Sequence, residues 1–201
     1  MTLVMLGIAL VCSAAVAGVY LLTKERIAQV ESDKRSEAIG EVLPEFDKLD
    51  KSSIEIGGEK LDVNLASKGG QTVGYAVECS ANGFGGPVVL MVGFDTEGVV
   101  TGIKVLSHAE TPGLGSLITE EDNVLLGAIL GKNPSTMTFS VSKDGGDIDA
   151  LTGATITSRA YVATVEKAFN AYLKQTTGEA AEGYTGATKQ AAEQQKGENN
   201  E

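Results

Sequence analysis

DALTGATITSRA, residues 149–160, is the stretch on which the reading of this chain turns. It follows the turn sequence KDGGD and runs into RAYVATVEKAFNAYLK, where Tyr161, Val162, Val165, Ala168, Phe169, Tyr172 and Leu173 share one helical face. A strand–turn region therefore meets the start of a helix that buries one side, and Thr157 or Ser158 can cap it. The first turn of a helix presents unpaired N–H groups and the positive end of the dipole, a natural seat for a phosphate. The Thr155 hydroxyl lies beside that seat, Gly153 and Ala154 leave the approach uncrowded, and Asp149 is near enough to steer a donor's metal or phosphate. TGAT recurs at residues 185–188, but Lys-Gln-Ala follows, without a cap or an amphipathic helix, and Glu182 only approximates Asp149. Four letters alone read as a Thr/Ser-rich helix cap. The surroundings select the first copy.

Upstream, TVGYAVECS, PVVLMVGF and VVTGIKVLSH are Val/Ile-rich runs separated by NGFGG and by the turn DTEG, the pattern of antiparallel strands joined by hairpins. A further strand is expected at residues 61–66 within a mixed stretch from Asp47 to Gly70. SLITEEDNVLLGAIL predicts a helix capped by Thr119 and stopped by Gly131, and TMTFSVSK, residues 136–143, alternates as a strand. From Gln175 the chain is polar apart from Tyr184 and is expected to be disordered, because it cannot bury enough apolar surface to offset its ordering entropy.

At the other end, residues 3–22 carry no charge, and about 20 residues at 1.5 Å rise cross the roughly 30 Å hydrocarbon core. No Lys or Arg precedes the run, which favours an uncleaved anchor over a signal peptide. Residues 24–42 then read as a juxtamembrane helix, with Pro44 beyond it. Lys24, Arg26, Lys34 and Arg35 all follow the anchor, and by the positive-inside rule they would keep the main domain cytoplasmic.

The 201 residues carry a formal charge of −11, from 16 Lys+Arg against 27 Asp+Glu. An acidic chain without a basic stripe argues against nucleic acid, whose phosphates need Lys or Arg. Two cysteines, Cys12 and Cys79, and one histidine, His108, make a zinc, haem or iron–sulfur site built by this chain improbable, so no metal site is expected. The glycine clusters do not form a strand–GxGxxG–helix unit for nicotinamide. Redox chemistry here would have to come from an organic cofactor.

Three motifs carry a resemblance. Asp149 to Thr155 with Thr157 and Ser158 resembles the flavinylation motif of FMN-binding domains; residues 107–115, Ser-His-Ala-Glu-Thr-Pro-Gly-Leu-Gly, resemble the family's His-x-Glu-Thr-Pro-Gly-Leu-Gly loop; and Gly83-Phe84-Gly85-Gly86-Pro87 resembles its Gly-aromatic-Gly-Gly loop. They occur in the family's order between residues 72 and 174. With its anchor, the whole chain resembles the G subunits of Rnf-type ion-translocating electron transport complexes, which are related to the C subunits of sodium-translocating NADH:quinone oxidoreductases.

The resemblance implies an α+β fold: a single transmembrane helix (1–22), a juxtamembrane helix (23–44), an FMN-binding domain with an antiparallel sheet and flanking helices (45–174), and a tail (175–201). It implies FMN joined to Thr155 by a phosphoester and installed by a flavin transferase; Asp149, Gly153 and Ala154 would be recognised by that enzyme or shape the turn, and Thr152 belongs to the same motif. In the 107–115 loop, Glu110 and Thr111 would offer hydrogen bonds to the flavin ring, and Leu114 an apolar face between Gly113 and Gly115. Phe84, beside Gly85, would stack on the ring or fill core. His108 is expected to be a structural hydrogen-bonder, and Lys143 a solvated turn lysine rather than a partner for a reduced ring.

The implied activity is electron relay inside a translocase coupling ferredoxin:NAD+ electron transfer to Na+ or H+ movement, without a complete active site on this chain. Its partners would be the other subunits, the transferase and membrane lipid. The alternatives are the C subunits of sodium-translocating NADH:quinone oxidoreductases, and stand-alone extracytoplasmic flavin carriers or reductases. The resemblance places the flavin domain outside the cell membrane, against the charge rule.

Overall fold

The computed structural model describes residues 1–56 and 58–178. Met1–Glu37 forms one compact unit, and a second begins at Ala38. The first unit is helical. It belongs to α1 (Thr2–Val42), one unbroken helix where two were expected. Nothing between Leu22 and Glu37 can break it: TKERIAQVESDKRSE is rich in good helix formers and lacks proline and glycine. Among the described residues, this is the one helix long and apolar enough to cross a membrane.

The second unit is a five-stranded antiparallel meander, ordered β1 (Lys48–Ile56), β2 (Glu59–Lys68), β3 (Gln71–Asn82), β4 (Pro87–Phe94) and β5 (Val100–Ser107). β2 to β5 lie where apolar alternation put them. β1 was not expected: KLDKSSIEI is mostly polar, and as an edge strand it is held by its ladder with β2.

One face of the sheet packs against α3 (Thr155–Thr177), with Val63, Val77, Leu90, Val92 and Phe94 meeting Tyr161, Val162, Val165, Ala168 and Phe169. Each large side chain buried here contributes about 1.5–3 kcal/mol. Tyr172 stacks on Phe94 with centroids 5.3 Å apart, meets Tyr75 edge-on at 5.2 Å, and satisfies its hydroxyl by donating to the Thr96 carbonyl at 3.0 Å. Cys79 is part of this core, and burial pushes its thiol up to about 12, so it is no nucleophile.

The opposite face receives Ala38, Ile39, Val42 and Leu43 on Ala66, Ala76 and Met91. The paired glycines Gly93 and Gly102 make this seat possible: a Cβ on Gly102 would lie 2.7 Å from Val42 Cα, and one on Gly93 would lie 2.7 Å from Thr101 Oγ1. Thr101 Oγ1 donates to the Val42 carbonyl at 2.5 Å, closing the end of α1.

Three local expectations are corrected. The helix predicted at residues 116–130 splits into a 3-10 turn (Gly115–Thr119) and a short α2 (Val124–Ile129). Thr119 donates to the Ser116 carbonyl instead of capping, and Asn123 caps α2: its Oδ1 accepts from Leu126 N at 2.9 Å while its Nδ2 donates to Glu120 O at 2.6 Å. TMTFSVSK is not a strand. It holds one isolated bridge, Val141 to Ile148, between 3-10 turns at Pro134–Thr136 and Ser142–Asp144. Asp147 Oδ2 captures the Thr138 N–H at 2.7 Å, so the segment folds back on its own turn rather than joining the sheet. Finally, α3 begins at Thr155 and continues to Thr177, and neither Thr157 nor Ser158 is its cap residue; that position is Ala154. The second TGAT and most of the polar tail, residues 179–201, lie outside the described residues.

Candidate functional site at the start of the last helix

A cavity of about 360 Å3 opens where α3 starts, and all three sequence motifs reach it. Phe84 comes from the β3–β4 loop; Glu110, Thr111, Leu114 and Gly115 from the loop after β5; Gly153, Ala154, Thr155, Ile156 and Thr157 from the turn into α3.

Glu110 joins the three. It is 6% exposed; Oε2 accepts from Thr157 Oγ1 at 2.5 Å, and Oε1 accepts from Gly85 N at 3.1 Å. Its loop passes so close to α3 that a Cβ on Gly115 would sit 2.6 Å from Glu110 Oε2 and 2.7 Å from Thr157 Oγ1. Glu110 lines the cavity, and the carboxylate that the resemblance assigns to a ring also braces the walls. His108 supports the same bend, its Nδ1 accepting from the Glu110 N–H at 3.2 Å, which is the structural part expected of it.

The turn into α3 is held from inside. Ser158, fully buried, accepts from Leu151 N and donates to the Ala154 carbonyl, both at 2.9 Å. Gly153, at φ 75°, makes the left-handed bend that an L side chain disfavours. Thr155 is thus the first residue of the helix; Ser158 N donates to the Ala154 carbonyl at 2.9 Å, and the N–H groups of Thr155, Ile156 and Thr157 ahead of it have no intrahelical acceptor. Beside them the wall is apolar and open, with Phe84 at 70%, Leu114 at 45% and Ile156 at 40% exposure. Ile156 was missed from sequence because it follows the motif and breaks no pattern.

Lys143 is also placed differently from expectation. It is not simply solvated: its Nζ donates to Thr155 Oγ1 at 2.8 Å. Its neighbour Asp144 receives two bonds of 2.7 Å from Arg159 of α3, and that guanidinium holds the Asp144 carboxyl below its usual range. Asp149, Thr152 and Gly113 are exposed and do not line the cavity, and neither do Gly85 and Ser158, which shape its walls. Among the described residues no cluster of His, Cys, Asp and Glu is arranged to hold a metal ion.

Residues 83–170, from the first glycine of the β3–β4 loop into α3, match the family described as FMN-binding domain, and residues 2–42 match the RnfG N-terminal region. The stretch 83–170 of the chain is thus similar to FMN-binding domains. The G subunit of the ion-translocating oxidoreductase complex of Aliivibrio fischeri ES114 is 36% identical over 181 residues, covering 83% of this chain and 86% of that protein. The corresponding G subunit of Stutzerimonas stutzeri is 34% identical (87% and 82% covered), and that of Haemophilus influenzae PittEE 38% identical (79% and 83% covered). The chain belongs to the family of ion-translocating oxidoreductase complex G subunits. Among solved structures, NqrC of Shewanella oneidensis is 21% identical with a TM-score of 0.45, covering 63% of this chain and 66% of that one. The C subunit of the Na+-translocating NADH-quinone reductase of Parabacteroides distasonis is 21% identical with a TM-score of 0.48, covering 73% and 84%.

Proposed function

We propose that this chain carries FMN covalently on Thr155 through a phosphoester and relays electrons within an Rnf-type complex that couples ferredoxin:NAD+ electron transfer to Na+ or H+ translocation. Family membership makes it a flavoprotein electron-transfer subunit of an ion-translocating complex in a membrane, whose other subunits are its partners. The observation that carries the finer reading is the position of Thr155: first residue of α3, on the wall of the cavity, its hydroxyl beside Lys143.

The residues fit the group. The free N–H groups of the α3 first turn and the Lys143 cation suit a phosphate. The apolar wall of Leu114, Ile156 and Phe84 suits one face of a flat tricyclic ring, and the cavity volume lies in the range of cofactor pockets. Bound FMN would supply the redox chemistry. The chain's own part is to hold and orient: Glu110 and Thr157 keep the walls together, Leu114 and Ile156 shield the ring from water, and the phosphoester prevents loss of the flavin where no free pool replaces it. A separate flavin transferase, drawing on FAD and a divalent metal, would install the group. The domain is proposed to face the extracytoplasmic side, with the uncharged run 3–22 of α1 in the lipid.

The test is in-gel flavin fluorescence of the denatured protein after co-expression with a flavin transferase. Fluorescence in the wild type and in T188A, with none in T155A, is expected. A fluorescent T155A band would reject the attachment site. For orientation, protease added to intact spheroplasts should digest the domain, and complete protection would place it in the cytoplasm.

A further inference from the structure

The turn Ser142–Asp144 carries two neighbouring side chains of opposite charge with different tasks. Asp144, its side chain 7% exposed, is locked to Arg159 by two bonds of 2.7 Å, which pins the turn to the second turn of α3. Lys143, so positioned, places Nζ 2.8 Å from Thr155 Oγ1. A surface lysine gives up considerable rotamer freedom to hold one hydroxyl; the clamp on the adjacent residue fixes the backbone from which Lys143 reaches Thr155. The lysine lies outside TGAT and reaches its threonine only through the fold.

We propose that Lys143 is a catalytic residue for the loading of Thr155, polarising the hydroxyl and then holding the phosphoester formed on it. This rests on Thr155 being the attachment site. An ammonium group has three donors and no acceptor, so the bond fixes a lone pair of Oγ1 on Lys143 and turns the hydroxyl proton elsewhere, where a base can take it. In the step, a bond forms from Oγ1 to the FMN phosphorus of a flavin dinucleotide. The pyrophosphate P–O bond to the adenylate breaks, AMP leaves with that oxygen, and the hydroxyl proton passes to a base of the transferase or to solvent. No electrons are exchanged. Lys143 stabilises the negative charge that grows on Oγ1 as the proton departs, and afterwards it faces the singly charged phosphodiester together with the α3 first-turn N–H groups.

The experiment is a single-turnover flavinylation time course on the full chain in detergent, with purified transferase, FAD and Mg2+, read as covalent fluorescence in denaturing gels. K143Q should be slowed about 10-fold or more, the scale of a lost charge-assisted bond at the reacting atom. K143R, which keeps a cation there, should recover most of the rate, and K132Q, a surface charge control, should match the wild type. Labelling of T155A would remove the underlying site assignment. T155A unlabelled with K143Q at the wild-type rate would leave the site intact and overturn the role of Lys143. Equal slowing of K143R and K143Q would also overturn it, since the lysine's shape rather than its charge would then be the cause. Circular dichroism melts of each variant, unchanged from wild type, confirm that the rates compare folded proteins.

Discussion

Glu110 offers the sharpest quantitative test of how the cavity is built. Its carboxylate is buried and accepts from two segments, Thr157 at 2.5 Å and Gly85 at 3.1 Å. Hydrogen bonds to a charged group contribute about 1.5–3 kcal/mol each. Gly85 is exposed, so water can replace its bond, and the Thr157 bond should dominate. In E110Q the amide keeps the shape but has one oxygen, and its NH2 must face one of two donors. A loss of about 2–3 kcal/mol is expected. T157V should cost about 2 kcal/mol, because Oε2 is left buried without its donor. The double variant E110Q/T157V should be less damaged than the sum, with a coupling of about 1.5 kcal/mol or more. The assay is urea unfolding of the full chain in detergent, followed by near-ultraviolet circular dichroism. The chain has no tryptophan, so buried Tyr161 and Tyr172 dominate that signal and report the α3–sheet interface directly. A coupling below about 0.5 kcal/mol, the level of independent sites, would refute the keystone role.

Three further outcomes are expected. G115A should destabilise by about 2 kcal/mol or more, because the new methyl meets Glu110 Oε2 and Thr157 Oγ1 and neither side chain has room to yield; a urea midpoint equal to wild type would contradict this. For Asp144, the folded carboxyl is held below its ordinary value by Arg159, so its stabilisation is complete above the unfolded value near ~3.9 and is lost as pH falls through the lowered folded value. The stability gap between wild type and D144N, from urea midpoints at several pH values, should therefore be flat from about pH 7 to 5 and close below about 4. N123A should cost about 1–2 kcal/mol and loosen α2, since this one side chain both caps the helix and ties it to the preceding turn; faster amide exchange at Leu126 would show it.

What could be read in the residues depended on how local the deciding forces were. β3 and β4 were legible because both faces of each strand bury apolar side chains between α3 and the end of α1, leaving an unmistakable Val-rich run. α3 was legible from its period, but its start was not. Thr157 and Ser158 resemble caps in sequence, yet their hydroxyls go to Glu110 and Leu151, partners fixed only by the fold. β1 was hidden for the opposite reason: a mostly polar edge strand leans on its neighbour's backbone ladder, with Leu49, Ile54 and Ile56 adding apolar contacts. At the site, the motif residues indicated which loops matter, while their tasks emerged from distance. Glu110 braces the walls of the cavity it lines, and Lys143, which sequence alone leaves as a solvent-facing turn residue, meets Thr155 because Asp144 and Arg159 hold its turn in place.

The bond from Thr157 to Glu110 spans 47 positions of chain, and under the proposed attachment it would set a timetable for maturation. Before α3 has docked, Thr155 is an ordinary hydroxyl in a tetrapeptide that the chain carries twice. Once docked, it acquires a lysine, a row of free amides and a walled recess together. Under the proposed attachment, loading would be fastest once folding is complete, on whichever side of the membrane that happens. Under that proposal, a transferase that reads this arrangement would inspect its client as it modifies it, and a misfolded copy would be loaded slowly.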